Sequence, residues 1–152
     1  EEVDRKVLSL MERVQGLEKS LEDWTRAQAR QQFERLIHQA EVVNGVPVLG
    51  AIVSASDADT MREMTDWFRE AHPSGVALLG AVIGGKPSLV ASVTEDLVKR
   101  GLNAAALVRD AARLIEGGGG GKPTLAQAGG RDAVHLNDAV QTATAWVREN
   151  LK

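Results

Sequence analysis

The stretch Val76-Ala77-Leu78-Leu79-Gly80-Ala81-Val82-Ile83, then Gly84-Gly85-Lys86-Pro87, then Ser88-Leu89-Val90-Ala91-Ser92-Val93, decides the fold class. An unbroken apolar run bounded by turn residues reads as a continuous apolar strand, which leaves a two-layer or a three-layer arrangement open. The glycine pair before Lys-Pro marks a tight turn, short enough to fold residues 88–93 back on 76–83 as a hairpin. Upstream, Val46-Pro47-Val48-Leu49-Gly50-Ala51-Ile52-Val53 predicts another buried strand. Between the two, residues 57–71 predict a helix, with Asp57 or Ser56 as cap and Met61, Met64, Trp67 and Phe68 on one face. His72-Pro73-Ser74-Gly75 ends it. Downstream, Thr94-Glu95-Asp96 starts a short helix. Asn103 caps a longer one, with Leu107, Val108, Ala111, Leu114 and Ile115 inward. A last helix near 137–150 turns Val140, Ala143 and Val147 inward, with Trp146 as a further candidate. The order β, α, β, β, α, Gly-rich loop, α predicts an α/β domain over residues 44–152, an α+β-like small sheet flanked by helices.

Residues 1–43 follow a different rule. They contain no Pro and only Gly16, and Val3, Val7, Leu10, Val14, Leu17, Leu21 and Trp24 alternate at spacings of 4 and 3. That is a heptad seam. Ala29, Phe33, Leu36 and Ala40 continue the helical period on a rotated face, and Asn44-Gly45 reads as a helix stop followed by a turn. A helix of this length, roughly 60 Å at ~1.5 Å per residue, cannot bury its own stripe. The expectation is a coiled-coil arm over residues 1–43 that pairs with a second copy or with another segment of a longer parent. Its 7 basic and 9 acidic residues speak for a solvated stalk rather than a nucleic-acid-binding helix.

Composition narrows the function. The 152 residues are 43% hydrophobic and only 3% aromatic, so the core is built from Ala, Val, Leu and Ile. The net charge of −3 excludes a globally basic nucleic-acid binder, though not a local basic patch. With no Cys, disulfides, thiolate catalysis and cysteine-ligated zinc are excluded. No run approaches the ~20 apolar residues of a membrane span, so no membrane partner is expected. No signal-peptide pattern opens the chain, so a cytoplasmic location is expected. The chain opens on Glu1 rather than Met, as an excised piece of a longer protein would.

The most informative segment is Gly117-Gly118-Gly119-Gly120-Gly121-Lys122-Pro123-Thr124-Leu125-Ala126-Gln127-Ala128-Gly129-Gly130-Arg131. A glycine run after a helix can be a plain linker. A linker would not need Leu125 and alternating small residues between two glycine clusters. Glycine lets a backbone approach a ligand closely, and successive amides can cradle an anion. Between residues 84 and 131, 7 basic residues (Lys86, Lys99, Arg100, Arg109, Arg113, Lys122, Arg131) face 4 acidic ones. The local +3 coincides with the glycine clusters and implies a phosphate-contacting surface. The candidate nucleic-acid-binding residues are therefore Gly118, Gly119, Gly120, Gly121, Lys122, Gln127, Gly129, Gly130 and Arg131. Lys99, Arg100, Arg109 and Arg113 extend the patch if their helix faces agree. Lys86 is read as part of a hairpin turn, because its surroundings lack Walker spacing and a following helix.

The same block, glycines, a basic residue and Pro, a hydrophobic residue, then Ala-Gln-Ala-Gly-Gly, resembles the C-terminal domain of alanyl-tRNA synthetase, itself related to the DHH-associated domain. The match extends upstream through Lys99-Arg100-Gly101-Leu102-Asn103-Ala104, and the helical arm also fits. Lys122 departs from the commoner Arg, which keeps charge but loses bidentate phosphate geometry. The resemblance implies a non-catalytic module that contacts the outer corner of tRNA, alanine-specific in the parent. There it helps join aminoacylation and editing on one tRNA, and its arm can dimerise. ATP and zinc would be used elsewhere in the parent, so no cofactor is expected here.

No catalytic or metal residues are expected. His38, His72 and His135 lie in different elements without metal-ligand spacing. Asp57-Ala58-Asp59 and Glu95-Asp96 read as helix starts favoured by the macrodipole rather than acid/base pairs. Two alternatives stay open: the nucleic-acid-binding half of a DHH-type nuclease or phosphoesterase, and a purely structural oligomerisation module.

Overall fold

A computed structural model describes residues 2–151. The chain divides into two compact units between Gln32 and Phe33. The first is a single helix, the greater part of α1 (Glu2–His38). The seam side chains on it are exposed, Leu17 to 70% and Trp24 to 59%.

The second unit is a six-stranded sheet between two layers of helices, an α/β architecture. In chain order it comprises β1 (Glu41–Val43), β2 (Val46–Ile52), α2 (Ala58–Ala71), β3 (Val76–Ile83), β4 (Lys86–Val93), α3 (Glu95–Lys99), α4 (Ala104–Leu114), β5 (Gly118–Gly121), β6 (Leu125–Gly129) and α5 (Leu136–Asn150). The sheet order is β1-β2-β3-β4-β6-β5. Only β2 and β3 are parallel, joined through α2 as a crossover; every other neighbouring pair is antiparallel.

Strand alternation sorts side chains to the two faces. Val46, Val48, Val76, Leu78, Leu89, Ala91, Ala126 and Ala128 pack with α4 and α5. Leu49, Ala77, Leu79, Ala81 and Val90 pack with α2 and with Phe33 and Ile37 from the last turns of α1. Covering both faces is why these strands read as unbroken apolar runs. Asp57 caps α2 by accepting the Thr60 N–H at 2.7 Å, and Asn103 caps α4 by accepting from Ala106 N–H at 3.2 Å.

Several expectations change. The helix stops at His38, and residues 41–43 of the expected arm are instead strand β1. The turn expected at Asn44-Gly45 is a two-residue hairpin turn from β1 to β2, with both residues at positive φ (51° and 80°), while the helix stop expected there falls earlier, at His38. Phe33 is 1% exposed, so the rotated stripe seals the sheet. Leu114 and Trp146, expected inward, are about 40% exposed. The Gly-rich segment is no loop: it forms the hairpin β5–β6 at the sheet edge.

Candidate nucleic-acid interface

The hairpin is built by packing on α4. The amide of Gly117 donates to Ala112 O at 2.9 Å, and the amide of Ala104 donates to Pro123 O at 2.8 Å. The helix therefore runs alongside β5, its start at the hairpin tip and its end at the hairpin base. Lys122 occupies the tip, where its N–H donates to Leu125 O at 2.9 Å. Arg131 follows the base, its N–H donating to Ile115 O at 2.8 Å. Lys122 and Arg131, at the two edges of the glycine segment in sequence, thus sit at opposite ends of the hairpin, separated by four strand residues or roughly 14 Å at ~3.4 Å each.

The glycines divide into two classes. A β-carbon on Gly119 would stand 2.2 Å from Gln127 O, and one on Gly117 would stand 1.9 Å from Gly129 O. Those positions need glycine because β5 lies so close to β6. Gly118 has open space, and a β-carbon on Gly120 would meet only Arg109 Nε, at 4.0 Å. Backbone open to a ligand is therefore confined to alternate positions.

The other candidates distribute along the same edge. Gln127 pairs with Gly120 and Gly129 with Gly118. Arg109 and Arg113 stand exposed on α4, one turn apart, with Asp110 at 4.0 Å from Arg113. Lys99 ends α3 and Arg100 caps it, a few residues before α4 begins at the tip. Gly130 donates its N–H to Pro87 O at 3.1 Å, which ties the base to the β3–β4 turn. This brings in Lys86, which sequence reasoning set aside: Lys86, Ser88, Arg131, Gly129 and Gly130 line one groove. Pairing of Ser88 with Gly129 makes that juxtaposition, and nothing in the local sequence signals it.

A second unforeseen feature follows Arg131. Asp132 Oδ1 accepts the N–H groups of Val134 (3.0 Å) and His135 (3.3 Å), and Oδ2 bonds His135 Nδ1. The hydrogen bond from His135 holds the Asp132 carboxyl below its ordinary range, and the same bond raises the pKa of His135. The pair fixes the chain between the hairpin base and α5. Glu95-Asp96 belongs to a helix start as expected: the Asp96 carboxylate accepts from the hydroxyls of Ser74 and Thr94, which lower its pKa. Among the described residues there is no group of three or more His, Asp or Glu placed to hold a metal, and no helix long and apolar enough to cross a membrane.

The unit is thus a mixed six-stranded sheet between helices, with a glycine hairpin at its edge and exposed cations around that hairpin. Residues 45–149 match the family described as DHHA1 domain, and the chain belongs to that family. It is similar to alanine–tRNA ligases: 39% identical over 147 residues to that of Geobacillus thermodenitrificans, covering 97% of this chain and 17% of the relative. To that of Chloroflexus aurantiacus it is 43% identical over 141 residues, covering 88% of this chain and 16% of the relative. The chain thus spans about a sixth of the length of these relatives. The crystal structure of the C-Ala domain from Aquifex aeolicus alanyl-tRNA synthetase shares the fold, with a TM-score of 0.61 at 24% identity over 74% of this chain and 96% of that one.

Proposed function

We propose that this chain is a non-catalytic RNA-binding module, the C-terminal part of an alanine–tRNA ligase. In this reading it contacts the outer corner of tRNA and helps hold one tRNA for both aminoacylation and editing, with α1 as a homodimer contact. The observation that carries the reading is the similarity to alanine–tRNA ligases along nearly the whole chain. The open backbone at Gly118 and Gly120 beside Arg109 supports an interface for phosphate and ribose. With 3% aromatic residues the module has little to stack bases on, so it recognises the shape and backbone of folded RNA.

The test is a titration of the full chain with tRNA over a salt series. Binding should weaken with salt by about 0.7 to 0.9 in the log–log slope per phosphate contact. Lys122→Glu combined with Arg109→Glu should flatten that slope and lower affinity, with the circular dichroism of the parent retained. Unchanged affinity in the double variant would place the RNA elsewhere, and a parent that binds no tRNA would end the proposal.

A further inference from the structure

A groove of about 520 Å³ lies between the β3–β4 turn, the base of the β5–β6 hairpin and the start of α2. Its floor is Ser88 on β4 and Gly129 on β6, which are register partners on the face away from α4 and α5. Lys86 and Arg131 are both among its lining residues. Both cations rise from anchored backbone: Lys86 belongs to the ladder opposite Ile83, the neighbouring Pro87 accepts from Gly130 N–H, and Arg131 donates to Ile115 O. Anchoring depends on glycine, since a β-carbon on Gly130 would stand 2.2 Å from Ile115 O. Among the described residues neither cation has a carboxylate within salt-bridge distance.

Two acidic residues also line the groove, Asp57 and Glu116. Asp57 Oδ1 is turned toward α2, where it accepts the N–H and the hydroxyl of Thr60. Glu116 is held at φ 54°, an uncommon conformation for a non-glycine residue, directly before Gly117. The border is thus electrically balanced, which disfavours a bare anion. A ligand carrying both a phosphate and a hydroxyl satisfies it: two cations for the phosphodiester, and a carboxylate to accept a hydrogen bond from the hydroxyl. RNA has that hydroxyl at every sugar.

We infer that this groove seats a ribose phosphate of bound RNA, with Lys86 and Arg131 on the phosphodiester and Glu116 on the 2′-hydroxyl, as a contact separate from the Lys122 tip. The inference rests on the RNA-binding reading above and adds a second contact point to it.

The experiment measures tRNA binding by the full chain over a salt series with Lys86→Glu and Arg131→Glu as separate variants, beside Lys122→Glu. Each groove variant should weaken binding several-fold and reduce the salt slope by about 1. Should a reversal lose the parent circular dichroism, Lys86→Gln and Arg131→Gln take its place, with the same expected direction. Amide signals of Ser88, Gly129 and Gly130 should shift with tRNA and stay in place with inorganic phosphate. If Lys122→Glu weakens binding while the groove variants bind like the parent, the inference fails and the RNA-binding reading stands. If the parent binds no tRNA, both fail. A groove that responds to inorganic phosphate and not to tRNA is a generic anion site, which overturns the inference.

Discussion

At Gly119 a methyl group would overlap the β6 backbone, whereas at Gly118 it would meet nothing within 4 Å. Adjacent residues of one homopolymeric run therefore answer to different constraints. Gly119→Ala forces β5 and β6 apart and should destabilise the chain by about 1–3 kcal/mol, the cost of overpacking without room to relax. Gly118→Ala should change stability by no more than about 0.5 kcal/mol, as at an unconstrained surface site. Urea unfolding of the two variants beside the parent measures both; equal destabilisation would contradict the observed register. The charged residues obey a similar logic. Lys122 and Arg131 are nine positions apart in sequence and at opposite ends of a hairpin, while Lys86 and Arg131 are 45 apart and share a groove.

Among the elements, α1 carries an unresolved demand. Seven apolar positions at heptad spacing lie exposed along it, and water exerts a steady pressure to cover them, ~25 cal/mol per Å² of apolar surface. Self-association through this seam is the expected response. Replacing Leu10 and Leu17 together by Asp should yield a monomer whose 33–152 unit remains folded, read by light scattering and circular dichroism. A parent chain that is monomeric at high micromolar concentration would contradict the expectation. The β5 strand shows the opposite economy. It has no side chains to bury, so its place in the sheet depends on main-chain pairing with β6 and on the helix beside it.

For the whole molecule, the boundary between units falls inside a continuous helix. Phe33 packs on Trp67 with ring centroids 6.0 Å apart, and Ile37 joins the same cluster under α2. The last turns of α1 thus belong to the core of the globular unit. A chain beginning at Phe33 should keep a cooperative thermal transition close to that of the parent. One beginning at Asn44 loses Phe33, Ile37 and strand β1, and should be destabilised by at least about 3 kcal/mol, since removing one large core side chain costs that much. Thermal melts of the two truncations decide the matter; equal melting temperatures would mean that residues 33–43 contribute nothing to the core.

What was legible in the sequence was whatever leaves a local periodic mark. The β3–β4 hairpin, helices α2, α4 and α5 and their caps Asp57 and Asn103 each follow from apolar spacing and cap chemistry within one short window. The family resemblance was legible too, because the Gly-Lys-Pro to Ala-Gln-Ala-Gly-Gly block is contiguous. Strands β1 and β5 left no such mark. Three residues are too few to break a helical period, and four glycines carry no hydrophobic pattern at all. The pairing that joins Ser88 to Gly129, the separation of Lys122 from Arg131, and the approach of Arg109 to Gly120 were decided only in three dimensions. Each depends on strand register and on the helix lying along an edge. Those are set by contacts between segments distant in the chain, which no local pattern encodes.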